Sequence, residues 1–244
     1  MTDAAAPLLE LRDVTKRFGG LVAVRALSFA IHSGEVLGLI GPNGAGKSTT
    51  FNLIGGFYAP TAGEVLFESR RITGNEPHVA ARMGIVRTFQ HGSVFRDLTV
   101  RDNITVGATA TVRGHAAREA RVQETARMLG LEPRLDDPAH ALPSGHQRLL
   151  SIAIALAARP ILLCLDEPLA GLNPAETQEV LEVIARIRGE LGVTVLLVEH
   201  NVGAVMRICD RIVVLNFGAK LAEGTPVEVR ENEHVIDAYL GRAD

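Results

Sequence analysis

Two short stretches of this 244-residue sequence carry the residue types that handle phosphate. The first is Gly41-Pro42-Asn43-Gly44-Ala45-Gly46-Lys47-Ser48, which fits G-x-x-x-x-G-K-[ST]. It lies between an apolar run, Val36 to Ile40, and a helix expected to begin near Lys47. Glycines there let backbone N–H groups curl around phosphate oxygens, and the helix turns its positive end to the same anion. Lys47 would neutralise charge on the β- and γ-phosphates, and Ser48 would offer a hydroxyl to Mg²⁺. The second stretch is Ile161-Leu162-Leu163-Cys164-Leu165-Asp166-Glu167-Pro168. An apolar strand ending in two adjacent carboxylates is costly unless they meet a cation or a partner. Asp166 suits the acid that holds Mg²⁺ through water, and Glu167 a general base that polarises the attacking water. Cys164 reads as a small apolar core residue.

The elements that must position these groups follow from pattern. Leu8 to Val14, Leu27 to Ile31, Val36 to Ile40 and Val65 to Phe67 read as strands, with Gly19-Gly20 as a turn. From about Gly92 to Ala158 the texture is helical. Ala116 to Leu129 is rich in helix formers, and Leu149, Ile152, Ala153 and Leu156 recur at helical spacing after Pro143. The run Arg118, Arg121 and Arg127, mixed with Glu119 and Glu124, reads as a solvated helix face. Strands return at Ile161 to Leu165, Val193 to Val198 and Ile212 to Leu215, with a helix over Pro174 to Leu191. Strands alternating with helices imply a parallel α/β core, and the first three strands suggest a small antiparallel β lobe beside it.

With these marks in hand, the sequence resembles the ATP-binding subunits of ABC transporters. Leu142-Pro143-Ser144-Gly145-His146-Gln147-Arg148 is similar to the family signature, usually written LSGGQ. Gln90, in Arg87-Thr88-Phe89-Gln90, resembles the glutamine of the family's Q-loop, and Ala170-Gly171-Leu172-Asn173 its D-loop. His200, after Val198-Glu199, resembles the switch histidine, and Phe18 sits where the family stacks an aromatic on adenine. The resemblance runs from Leu8 to about Gly241. It implies one ABC ATP-binding domain over 1–244, with a P-loop NTPase (RecA-like) α/β core, an N-terminal antiparallel β lobe and a helical subdomain at about 92–158. It implies ATP and Mg²⁺ as ligands. ATP would meet Phe18, Gly41, Pro42, Asn43, Gly44, Ala45, Gly46, Lys47, Ser48, Thr49 and Gln90, with Ser144 and Gly145 reaching the nucleotide of a second subunit. Ser48, Gln90 and Asp166 would hold the metal, while Glu167, His200 and Lys47 would serve catalysis. The signature departs from pattern: Pro143 and Ser144 stand at the usual Ser-Gly positions and His146 replaces Gln. Ser144 could cap the signature helix or supply the hydroxyl one place late.

Head-to-tail pairing of two ATPase subunits follows from the resemblance, either two copies or this chain with a related sister. Polytopic permeases and, indirectly, an external solute-binding protein would complete the machine on the cytoplasmic face of the inner membrane. Phe18-Gly19-Gly20-Leu21-Val22-Ala23-Val24, Val86 to Gln90, Ala170 to Pro174 and the tail Val235 to Gly241 look like the branched-chain amino acid importer subgroup, which also serves small amides. The nearest alternative, the ATPase of lipopolysaccharide export, has a signature nearer LSGGQ; Pro143 and Thr88-Phe89-Gln90 favour the importer. An ABC ATPase acting on nucleic acid or ribosomes fits poorly. Lys+Arg total 25 against Asp+Glu 28, a formal charge of -3, and there is no heptad run or second cassette. Two cysteines suit a reducing compartment rather than a disulfide framework. No apolar run approaches the ~20 residues of a membrane span, and Met-Thr-Asp-Ala-Ala-Ala-Pro lacks the features of a signal peptide. The remaining histidines, such as His32, His91 and His140, lack metal-ligand spacing. Ser144 has no G-x-S-x-G setting, so a hydrolase triad is excluded.

Overall fold

The computed structural model describes residues 6–88 and 94–240. Their chain order begins β1 (Leu9–Phe18), β2 (Leu21–Ile31), β3 (Val36–Ile40), α1 (Lys47–Ile54), β4 (Ala62–Phe67), β5 (Arg70–Arg71) and α2 (Pro77–Arg82). Next come β6 (Ile85–Arg87), α3 (Val100–Thr109), α4 (His115–Met128), α5 (Ser144–Ala157), β7 (Leu162–Asp166) and α6 (Pro174–Leu191). The chain ends with β8 (Thr194–Val198), α7 (Val202–Ile208), β9 (Arg211–Asn216), β10 (Ala219–Gly224), α8 (Pro226–Glu231) and α9 (Glu233–Leu240). Two compact units result, one formed by residues up to Ala80 together with those from Thr194, the other by Ala81–Val193.

The first unit holds two sheets. One is antiparallel with order β2-β1-β4-β5, its β1–β2 hairpin turning at Gly19 with φ 56°. In the other, β3 lies parallel to both β8 and β9, and β10 adds antiparallel to β9. The third strand of the sequence therefore leaves the antiparallel lobe expected for it, and β4 joins β1 in its place. Burial explains the exchange. All five residues of β3 are buried, as a parallel strand covered on both faces requires, whereas β1 alternates between buried and exposed positions. The polar, small-residue strand β10 carries little β signal and owes its existence to pairing with β9.

In the second unit β6 pairs parallel to β7, with Val86 opposite Leu163 and Arg87 opposite Cys164. Helices α3, α4 and α5 fall within the stretch expected to be helical, whose first residue, Gly92, lies outside the described ones. Leu149, Leu150, Ile152, Ala153 and Leu156 form the buried face of α5. Helix α6 starts on a full set of start signals: Asn173 accepts the Ala175 and Glu176 N–H groups, Pro174 fills N1, and Glu176 closes the capping box.

Both ends of α5 meet charged side chains from other helices. Glu176 accepts the Gly145 N–H at 3.0 Å, and Arg121 of α4 donates through Nη2 to the Leu156 carbonyl at the far end. Each charge has the sign that complements the helix dipole. Arg121 is thus buried at 7% exposure and caps a helix, which corrects the solvated face expected for it. Its neighbour in sequence, Arg127, is exposed and pairs with Glu132 at the surface. Periodicity placed the three arginines on one helix and could not show which of them a second helix covers.

Replacing Arg121 by Met should lower unfolding stability by about 1–3 kcal/mol, the cost of stranding buried carbonyls. Arg127→Ala should stay within about 1 kcal/mol of the parent, as exposed ion pairs do. Urea unfolding curves decide, and equal losses for the two would contradict the capping assignment.

Candidate nucleotide site

The glycine-rich loop leaves the buried end of β3 and runs straight into α1. Gly46 is the N-cap of that helix, at φ 101° and ψ 2°, with no side-chain cap and no acidic residue in the first turn. The first N–H groups of any α-helix lack partners within the helix. Here no side chain of the cap competes for them. A Cβ at Gly46 would lie 2.7 Å from the Ala23 carbonyl oxygen, so neither the conformation nor the space admits another residue. The loop is braced from behind by the β9–β10 hairpin, where the Gly218 N–H donates to the Ala45 carbonyl at 3.0 Å and the Gly218 carbonyl accepts the Arg25 N–H at 2.7 Å.

Lys47 is buried at 6% exposure, and its Nζ donates to the carbonyls of Gly41 at 2.6 Å and Pro42 at 3.1 Å. A buried ammonium held on carbonyl dipoles across the loop mouth suits a site for a polyanion. Ser48 is exposed at the start of α1, Thr49 half-buried beside it, and Asn43 and Gly44 line the exposed rim. On the antiparallel sheet, Phe18 is 41% exposed and meets Tyr58 edge-on at 5.2 Å, while Lys16 Nζ lies 5.0 Å over the Phe18 ring. An accessible ring supported this way can stack on a base. His200 follows β8 with its ring largely exposed. Its backbone is held by Glu199, a fully buried carboxylate whose Oε2 accepts the N–H groups of His200 at 3.1 Å and Asn201 at 3.3 Å. That positioning role escaped sequence reasoning, because Glu199 looked like one more polar residue after an apolar strand.

The acidic residues and the signature lie in the second unit. Strand β7 is buried throughout and ends at Asp166, itself 5% exposed. Thr88, buried after β6, ties the two strand ends: its Oγ1 accepts the Asp166 N–H at 3.3 Å and its N–H donates to the Cys164 carbonyl at 2.9 Å. Gln90 and Phe89 lie outside the described residues. Glu167 adopts φ 47°, a left-handed conformation rare for a side-chain-bearing residue and typical of strain held at functional sites. Cys164 is buried, and desolvation, first among the causes, pushes its thiol up to about 12, so it is inert filling at neutral pH. At the signature, Pro143 is the N-cap of α5 and Ser144 its first helical residue. Ser144 does not cap this helix through its side chain. Its side chain is exposed. No three His, Cys, Asp or Glu residues converge as a metal cage among the described residues. Ser48 in the first unit carries a hydroxyl and Asp166 in the second a carboxylate, each a hard oxygen donor of the kind that suits Mg²⁺.

A glycine cradle at a strand-to-helix junction, a buried lysine and a strand ending in carboxylates define a nucleoside triphosphate-binding α/β protein. Comparison with known proteins narrows the class. The ABC transporter family model matches residues 24–170, and a model described as branched-chain amino acid ATP-binding cassette transporter matches 219–244. The LivG high-affinity branched-chain amino acid transport ATP-binding protein of Escherichia coli K12 is 43% identical, over 97% of this chain and 99% of that one. BraF of Pseudomonas aeruginosa, with the same description, is 42% identical over the same shares. LptB, the lipopolysaccharide export ATP-binding protein of Escherichia coli K12, is 36% identical over 96% of this chain and 97% of that one. Among solved structures, the ADP conformation of MJ1267, an ATP-binding cassette of an ABC transporter, superposes with a TM-score of 0.88 at 29% identity, covering 98% of this chain and all of that one. The chain belongs to the ATP-binding subunits of ABC transporters, and it is an ATPase.

Gly46→Ala should push the loop off the Ala23 carbonyl, lower the melting temperature and weaken binding of a fluorescent ATP analogue by roughly tenfold or more, the cost of a strained backbone at one residue. Binding equal to the parent's would show that the left-handed cap is not what shapes the cradle.

Proposed function

We propose that this chain is the ATP-hydrolysing subunit of an importer for branched-chain amino acids or related small amides. The observation that carries this reading is the match of the C-terminal 219–244 segment to the branched-chain cassette model, added to full-length likeness to LivG and BraF. LptB is less alike over a similar span, which places lipopolysaccharide export second. The net charge of -3 offers nucleic acid no general attraction, which weighs against RNA or DNA as a partner.

In this reading the whole chain is one ATP-binding domain with a helical subdomain at about 92–158. Gly41, Pro42, Asn43, Gly44, Ala45 and Gly46 wrap backbone N–H groups around the ATP phosphates, Lys47 neutralises the β- and γ-oxygens, Thr49 lends its hydroxyl, and Phe18 stacks on adenine. Ser48, Asp166 and Gln90 hold Mg²⁺, which when bound neutralises charge developing on the phosphate oxygens. Glu167 takes the proton of the water that attacks the γ-phosphorus; the bond to the bridging oxygen breaks, and ADP and inorganic phosphate leave. His200 and Gln90 sense the γ-phosphate. Ser144 and Gly145, at the start of α5, face the ATP of a second ATPase subunit, either another copy or a related sister. ATP thereby joins two subunits, and its hydrolysis parts them, moving polytopic permeases supplied from outside by a solute-binding protein. No helix among the described residues is long and apolar enough to cross a membrane, which fits a peripheral subunit on the cytoplasmic face of the inner membrane.

Glu167→Gln should bind ATP, hydrolyse it poorly and sediment as a dimer with ATP and Mg²⁺; a species that remains monomeric would contradict the shared site. ATP turnover of the native chain should rise on mixing with membranes that carry its branched-chain permeases. Stimulation by RNA or DNA and not by those membranes would overturn the importer reading.

A further inference from the structure

The carboxylate of Glu176 sits between the starts of two helices. Its Oε2 accepts the Asn173 N–H at 3.0 Å, which closes the capping box of α6, and its Oε1 accepts the Gly145 N–H at 3.0 Å in the first turn of α5. A capping box needs only one of these bonds. The other joins a residue 31 positions away in the chain. A second link runs beside it, from Arg148 Nη2 of α5 to the Ala170 carbonyl at 3.2 Å. The segment 170–173 is therefore tied to α5 at both ends, through Ala170 by Arg148 and through Asn173 by Glu176. Gly145 makes this possible: it is buried, and a Cβ there would lie 2.9 Å from Glu176 Cγ and force the carboxylate away. Both helix starts are electropositive, so a shared anion draws them together.

We propose that Glu176 is a positioning residue for the ATP held by the partner subunit. It locks Ser144-Gly145 and the 170–173 segment into one rigid piece, so that Ser144-Gly145 meets the partner's nucleotide in register. The proposal rests on the shared-site reading above. An amide is a poor replacement, because its oxygen accepts from one of the two N–H groups while its NH₂ turns a donor toward the other. Glu176→Gln therefore keeps a capped α6 and loses the bridge.

The test uses the Glu167→Gln chain as parent and measures, by sedimentation, the ATP concentration that gives half-maximal dimer with Mg²⁺. Adding Glu176→Gln should raise that concentration roughly tenfold or more, the effect of losing a hydrogen bond to a charged group. The melting temperature should fall modestly, as loss of an internal hydrogen bond requires, while the monomer's affinity for a fluorescent ADP should match the parent's, since ADP in the chain's own phosphate loop needs no partner. Arg148→Met, which removes the second link and leaves Glu176 in place, should shift the curve in the same direction. A dimerisation curve that coincides with the parent's overturns the proposal. So does a shift matched by a loss of ADP affinity, which would make Glu176 a structural cap alone. A parent that fails to dimerise removes the shared-site reading and this role with it.

Discussion

The helix that follows β3 must begin with its N–H groups turned to an anion rather than to its own side chains. That constraint organises the first unit. Gly46 meets it by taking a left-handed cap with no side chain, against a carbonyl too close for any Cβ. The cap holds its shape because a fully buried strand feeds it and because the β9–β10 hairpin clamps Ala45 from behind. A glycine takes the left-handed cap without steric cost, whereas a buried ammonium is costly alone. Both are what the proposed phosphate site calls for.

The signature helix α5 solves the opposite problem. Its N-terminus is engaged by Glu176 and its C-terminus by Arg121, so both ends of its dipole are met within the protein. Helix α1 thus keeps its start open for a ligand of its own chain, while α5 is fastened as a rigid part. A helix intended to reach another subunit's ligand benefits from that rigidity, because misplacement by an ångström is enough to lose a catalytic contact.

The site was legible in sequence wherever function sits in consecutive residues. Gly41 to Ser48 and Leu162 to Glu167 declare themselves because loop, strand and charge lie side by side in the chain. The strands β3, β7, β8 and β9 were legible for the same reason, as short apolar runs. Roles that depend on distant partners were not. Arg121 looked solvated until α5 covered it, and Glu176 carried no role in the sequence until the fold brought the Gly145 N–H to it. Strand β3 was drawn toward the wrong sheet because an apolar run records burial and not which neighbours do the burying. Of the two roles that spacing offered Ser144, the backbone removes the cap, because Pro143 holds that position. The family likeness supplied order among these marks; the geometry supplied their reasons.

The central claim is that ATP is hydrolysed in a site completed by a second subunit. Its most direct test is the rate of phosphate release per chain, measured at saturating ATP and Mg²⁺ over a wide range of protein concentration. The account predicts a rate per chain that climbs with concentration before levelling, and no release from Lys47→Ala at any concentration. A rate per chain that stays flat down to the most dilute samples would show that one chain holds a complete site, and would contradict it.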